Sequence, residues 1–374
     1  MTINPSEFHD ILSEFGISFF TGVPDSTLKE FCIYIDSKID SSSHIIASNE
    51  GNAIAIATGY HLSTGKLPLV YLQNSGLGNS INPLLSLADS EVYSIPMVLL
   101  IGWRGEPGIK DEPQHVKQGR IQASLLESLE IPFCTVSSNG FDKEKINGIV
   151  QRSIDDSIPC AIVVSNNTFT KINTDIKPST EKYSLSREDA IKLILGVLDK
   201  NDILLSTTGK ASREVFEIRE NNLQSHRTDF LTVGSMGHCS SIALGVSLNT
   251  DKNVYCIDGD GSLIMHMGAL ATIGKEAPPN FKHIIINNYC HESVGGQSTA
   301  SDNIDFCKIA LANGYKSSIR VDTKVMFEKG FEIFRLSEGP SMLEISVNKY
   351  SRSDLGRPTI DPITNKDNFM KFLI

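Results

Sequence analysis

The sequence has no CxxC pair among its seven cysteines and no apolar run near the roughly 20 residues that a membrane-spanning helix needs. The odd, dispersed cysteine set fits reduced thiols behaving as small hydrophobes better than a disulfide framework. No Cys/His quartet has the spacing of zinc ligands, so a structural zinc site is not expected. Basic residues are also in short supply: 34 Lys and Arg stand against 44 Asp and Glu, for a formal charge of -10, and none of the cations cluster. Binding to nucleic acid draws its affinity from such clusters, so a polyanion partner is not expected, nor is a membrane. The opening MTINPSEFHDILSEFG carries acids instead of a basic stretch followed by an apolar one, so it does not read as a signal or transit peptide. A cytoplasmic protein is expected. The Walker pattern GxxxxGK[ST] is missing as well, which argues against a P-loop.

What is present is an alternation of apolar runs and amphipathic stretches. Apolar strands are predicted over 44–47, 69–73, 97–101, 202–205, 253–257, 283–286 and 341–345. Helices are predicted from Pro5 behind an Asn4 cap, from about Ser26, over 50–62, over 263–273, and after Ser186, where Asp189 completes a capping box. Continuously apolar strands separated by helices indicate parallel sheets covered on both faces. The stretch 167–186 loses its apolar periodicity and gains Thr, Ser, Lys and Pro. The expected architecture is therefore α/β, with two doubly wound parallel-sheet domains: 1–172, a linker at 173–186, and 187–374.

The chemistry concentrates in GDGSLIMHMGALATIGKEAPPNFKHIIINNYCH, residues 259–291. Asp260 and Asn288 lie 28 residues apart (288 − 260), each just past a predicted strand, so one βαβ unit brings them to adjacent strand ends. A carboxylate, an amide oxygen and backbone carbonyls of the turn at 289–291 are hard ligands suited to octahedral Mg²⁺. The Gly261 and Ser262 amides open a helix and can bind an anion, so metal and helix start together read as a diphosphate site. A dinucleotide loop is the weaker reading, because Gly259-Asp260-Gly261 has no third glycine in register. A plain Asp-Gly turn is the bland one.

GDG followed by somewhat under thirty residues and NN resembles the signature of thiamine-diphosphate enzymes. In that family the Asp and the last Asn bind Mg²⁺, and the ion binds the cofactor's diphosphate. The resemblance calls for a glutamate in the other α/β domain, where HIIASNEGNAIAIATGYHL offers Glu50 at a helix start. On its own, Glu50 reads equally well as a solvated first-turn residue favoured by the helix dipole. By resemblance it is the catalytic acid that shares a proton with the cofactor's aminopyrimidine. Likewise Met236, which on its own is ordinary packing, becomes the apolar wedge that bends the cofactor, and Gly234 contacts the aminopyrimidine through its carbonyl.

Five longer segments are similar to the phosphonopyruvate decarboxylase family, with sulfopyruvate decarboxylases as near relatives: GVPDS, YLQNSGLGNSINPLLSLAD, GWRGEPGIKDEPQH, STTGKASRE and CHESVGGQST. The resemblance spans nearly the whole chain. It implies a lyase that uses thiamine diphosphate and Mg²⁺ to convert 3-phosphonopyruvate to phosphonoacetaldehyde and CO2 in phosphonate biosynthesis, or else a decarboxylase of sulfopyruvate or another 2-oxo acid. It implies cofactor contacts at Thr208, Gly209, Gly234, Met236, Gly259, Gly261, Ser262 and Asn288, and metal ligands at Asp260, Asn288 and the Cys290 carbonyl. Substrate contacts follow at Asp25, Asn74 and Ser75. Arg104, His115 and Lys210 are the principal candidates for the phosphonate, with Lys110, Arg213 and His291 behind them. The family's GGQPT stands here as Gly-Gly-Gln-Ser-Thr, and a tyrosine and a cysteine follow the Asn pair where a glycine would be usual. A homo-oligomer, at least a dimer with active sites between subunits, is the implied assembly.

Overall fold

A computed structural model describes residues 2–138, 142–172, 182–349 and 351–374. The chain divides into two compact units, Met1–Asp175 with Ser293–Gln297, and Ile176–Glu292 with Ser298–Ile374. Of the predicted linker over 173–186, positions 173–181 lie outside the described residues.

The first unit contains six parallel strands: β1 (Phe20–Gly22), β2 (His44–Ile46), β3 (Leu69–Gln73), β4 (Met97–Gly102), β5 (Phe133–Val136) and β6 (Pro159–Val164). Their order is β2-β1-β3-β4-β6-β5. The second unit repeats the plan with β7 (Ile203–Ser206), β8 (Asp229–Leu231), β9 (Val254–Gly259), β10 (Phe281–Asn287), β11 (Ser317–Val321) and β12 (Ser341–Ser346), ordered β11-β12-β10-β9-β7-β8. The expected pair of parallel-sheet α/β domains is what forms.

The reason is visible along β4. Val98 and Leu100 pack into one apolar core, while Met97, Leu99 and Ile101 pack into another on the opposite face. Successive strand side chains point to opposite faces, so a run apolar at every position demands cover on both sides. Strand β9 does the same, sending Tyr255 and Ile257 to one core and Val254 and Cys256 to the other. Each fully buried Val, Leu or Ile contributes roughly 1.5–3 kcal/mol, so these strands fix the sheets firmly and leave their carboxyl ends free to carry polar groups.

Three local expectations need correction. The helix expected from Ser26 spans Lys29–Lys38, because the Asp25 carboxylate takes the Thr27 and Leu28 amides into a turn first. The single helix expected over 263–273 is two, Asp260–Met265 and Ala269–Glu276, separated by a non-helical His266 (φ -135°) before Gly268. Strands β1, β5, β6, β8 and β11 were not anticipated. Two caps read from sequence form, since Asn4 accepts from the Ser6 amide and Ser186 and Asp189 make their reciprocal box, but the capping box that Glu7 was expected to close at the first helix does not.

Candidate active site

In the first unit the candidate residues stand at the carboxyl ends of four neighbouring strands, where open α/β sheets bind ligands. Asp25 follows β1, Glu50 follows β2, Asn74 and Ser75 follow β3, and Arg104 follows β4. Asn49 caps the helix Glu50–Thr64 by accepting the Asn52 amide at 2.9 Å, which fixes Glu50 as the first helical residue. Along the buried side of that helix, Ala53, Ile54 and Ala57 are fully buried. Glu50 is itself only 6% exposed. Asn79 donates to its Oε2 at 2.8 Å. Burial pushes the Glu50 carboxyl above its usual range, with the Asn79 bond pulling the other way.

Asp25 is fully buried. Its Oδ2 accepts the amides of Thr27 and Leu28 at 2.9 and 3.2 Å, and its Oδ1 accepts Gln73 Nε2 at 2.6 Å. Asn74 is locked to the backbone of Arg104, donating to its carbonyl at 2.8 Å and accepting its amide at 3.1 Å. Ser75 is exposed and donates to Gln73 Oε1 at 2.6 Å.

The cations expected to meet the substrate are mostly committed within the fold. Arg104 donates through Nε and Nη2 to the two oxygens of Asp111 at 2.8 and 2.6 Å, and through Nη1 to Ser26 Oγ at 2.9 Å. Lys210 bonds Glu292 Oε1 at 2.7 Å and Ser351 Oγ at 2.6 Å. Glu292 also takes Arg187 Nη1 at 2.6 Å, and Arg187 forks onto both oxygens of Glu214 at 2.8 Å. Arg213 donates to the Leu355 and Gly356 carbonyls. Burial, then the Arg104 charge, pushes the His115 imidazole down. Burial pushes His291 down to about 4, so at neutral pH it is an uncharged donor and acceptor instead of a cation. Lys110 is exposed.

In the second unit the arrangement is parallel. Thr208 and Gly209 follow β7, Gly234 and Met236 follow β8, Gly259 ends β9 and leads into Asp260, Gly261 and Ser262, and Asn288, Cys290 and His291 follow β10. Gly209 adopts φ +93° at the start of the helix Lys210–Asn221, a conformation that glycine takes without strain. Ile286 sits opposite Gly259 in the β9–β10 register, so Asp260 and Asn288 occupy adjacent strand ends. The Ser262 hydroxyl joins three turns, bonding Thr207 Oγ1 at 2.9 Å and accepting the Gly237 amide at 3.0 Å. That amide lies directly after Met236, which is half-buried.

Asp260 is 3% exposed. Its Oδ2 accepts the hydroxyls of Thr299 at 2.5 Å and Ser301 at 3.0 Å. Among the described residues it forms no ion pair. Burial pushes its carboxyl up, while Thr299 and Ser301 pull it down. A desolvated carboxylate oriented by hydroxyls and facing no cationic side chain fits a divalent ion. Asn288 Oδ1 accepts the Cys290 amide at 3.3 Å and His291 packs close to Gly261, so this turn folds tightly over the Asp260 helix start. Neither Thr299, Ser301, Asn79, Asp111 nor Glu292 was singled out from the sequence, although all but Ser301 sit inside the quoted segments.

Two parallel sheets that present polar groups at matching strand ends, one a helix-borne buried glutamate and the other a GDG turn paired with an Asn-Asn turn, define a two-domain cofactor-binding α/β enzyme. The family described as thiamine pyrophosphate enzyme, N-terminal TPP binding domain, matches residues 7–126, and its C-terminal TPP binding domain matches residues 207–345. The chain belongs to this family of thiamine pyrophosphate enzymes. It is 31% identical to a phosphonopyruvate decarboxylase of Streptomyces viridochromogenes, over 97% of this chain and 93% of that one. A phosphonopyruvate decarboxylase of Streptomyces hygroscopicus is 30% identical, over 99% and 94%. A sulfopyruvate decarboxylase of Methanosarcina acetivorans is 29% identical, over 92% and 91%. No helix among the described residues is long and apolar enough to cross a membrane.

Proposed function

We propose that the chain decarboxylates 3-phosphonopyruvate to phosphonoacetaldehyde and CO2, using thiamine diphosphate held through Mg²⁺, as a step of phosphonate biosynthesis. The observation that supports this substrate is similarity to a phosphonopyruvate decarboxylase along 97% of the chain. When bound, thiamine diphosphate supplies the electron sink for loss of the carboxylate.

The residues divide the remaining work. The Asp260 carboxylate, the Asn288 amide oxygen and the Cys290 carbonyl would hold the metal, with Thr299 and Ser301 fixing the orientation of Asp260. The amides of Gly261 and Ser262 at the helix start, with Thr208, Gly209 and Gly259, would take the diphosphate. Gly234 and Met236 would meet the organic part. Glu50, raised by burial, keeps a proton at a higher pH than an ordinary carboxyl and can share it with a ring nitrogen. Asn74 holds the Arg104 backbone at the β3 and β4 ends, and Ser75 is the exposed hydroxyl there. Arg104 and Lys210 would meet a phosphonate only in competition with Asp111 and Glu292, while His115, His291 and Asp25 would contribute as uncharged donors or turn formers. In the assembled protein, a homo-oligomer, Glu50 of one copy and Asp260 of another would serve one cofactor.

The alternative is sulfopyruvate, favoured by the 29% identity to a sulfopyruvate decarboxylase over 92% of the chain. Steady-state turnover of both acids by the purified protein with thiamine diphosphate and Mg²⁺ decides between them. A higher kcat/KM for phosphonopyruvate is expected; a higher value for sulfopyruvate rejects the first reading, and no turnover of either rejects both.

A further inference from the structure

Two residues before Asp260, strand β9 turns polar side chains into the core. Cys256 and Asp258 are two positions apart, so they share a sheet face, the one on which Cys256 packs with Cys239, Ala243 and Leu263. The β9–β10 register places His283 directly opposite Cys256. Cys256, Asp258 and His283 are 0, 1 and 0% exposed. Their ligand atoms all lie within 4.8 Å of one another.

The hydrogen bonding of this cluster is incomplete. His283 Nε2 stands 3.8 Å from Asp258 Oδ2, too far for a direct bond, and neither atom has another partner. The outward atoms are satisfied: Asp258 Oδ1 accepts the Gly259 amide at 3.0 Å, and His283 Nδ1 meets the Tyr315 hydroxyl at 3.1 Å. A ring nitrogen and a carboxylate oxygen therefore face the same small space, which the Cys256 thiol also borders. Beside it, Cys239 Sγ is 3.7 Å from Cys256 Sγ.

We propose that Cys256, Asp258 and His283 hold a zinc-type divalent cation at a site separate from that of Asp260 and Asn288. The donor set selects the ion: thiolate and imidazole suit a borderline-soft cation, whereas Mg²⁺ takes oxygen. Binding would release the Cys256 thiol proton to solvent. Tyr315 orients the imidazole from behind, as partners of metal-bound histidines do. The ion would tie β9 to β10 just below the ends that carry Asp260 and Asn288. The two other ways to fill the space are a bridging water and a direct His–Asp pair after a small shift.

The test is the metal content of the full chain, purified with thiamine diphosphate and Mg²⁺ from zinc-supplemented medium and desalted. About one zinc per chain is expected, and the cobalt-substituted protein should show a thiolate-to-cobalt charge-transfer band. Cys256→Ser should lower the zinc content about tenfold and remove the band, whereas Asp260→Ala should leave both in place. Zinc well below one per chain, or cobalt bound without the band, overturns the proposal. Full zinc retention by Cys256→Ser overturns it too. Should that variant not fold, wild-type stoichiometry and the band still decide.

Discussion

The β-carbon that Gly76 lacks would lie 2.2 Å from Oε1 of Glu50 and 2.6 Å from its Cγ. The turn after β3 thus leaves a methyl-sized space that the glutamate from after β2 fills. Because the obstructing atoms belong to a side chain, Gly76→Ala should fold and push Glu50 aside. Gly76→Ala and Glu50→Gln are each expected to lower kcat about 100-fold, with the affinity for thiamine diphosphate changed less than about threefold. Single-turnover assays beside fluorescence titration of the cofactor measure both. An unchanged kcat in Glu50→Gln would remove Glu50 from the chemistry.

The short contact between Thr299 and Asp260 makes a separate prediction. Thr299→Val keeps the shape and removes the stronger of the two hydroxyl bonds to Oδ2. The Mg²⁺ concentration for half-maximal activity is expected to rise about 10- to 100-fold, with a smaller rise for Ser301→Ala. Chelation of Mg²⁺ should release the cofactor from the wild type. An Mg²⁺ requirement unmoved in both variants would place the metal elsewhere.

Acid should weaken the second unit in two windows. The His291 imidazole is lowered to about 4 from an ordinary 6.5, so its stabilising contribution is present above 6.5 and fades as pH falls towards 4. Burial alone would raise Glu292, but Arg187 and Lys210 outweigh it and hold the carboxyl at about 2. That contribution, of order 3 kcal/mol, is complete above about 4.5 and is lost as pH falls towards 2. Thermal melts from pH 8 to pH 3 should show a shallower decline for His291→Asn between 6.5 and 4, and for Glu292→Gln below 4.5. Parallel curves for variants and wild type would contradict both assignments.

Gly102 offers a test of Asp25. An added β-carbon there would meet Asp25 Oδ2 at 2.0 Å and Thr27 Cβ at 3.0 Å. Unlike Glu50, this carboxylate is tied by three donors and cannot swing away. Gly102→Ala should therefore cost about 2–4 kcal/mol in urea unfolding. A cost below about 0.5 kcal/mol would mean that the turn after β1 yields easily.

The chemistry-bearing turns were legible because each is local: a glycine pair, an aspartate and a strand end lie within a few residues. What pairs with them was not. Glu292 reaches Lys210 across 82 positions and Arg187 across 105, and nothing in the sequence around any of them announces the others. The candidate cations were read as free for the same reason. Among the strands, Phe20–Gly22 and Asp229–Leu231 are three residues long, too short to show a period. Ser317–Val321 is polar at three of its five positions, so it lacks the continuous apolar run that marked the other strands. The helix break at His266 left no mark either, since Met-His-Met-Gly continues an apolar pattern until the backbone is seen.

The hydroxyl of Ser262 touches Thr207 and the Gly237 amide, so one oxygen atom serves the turns that end three different strands. Substitutions in those turns should be epistatic. A change that is harmless at Thr207 alone alters what Ser262 can tolerate, and through Gly237 it alters where Met236 rests. Sequence drift around these turns is then constrained to move in concert, three loops at a time.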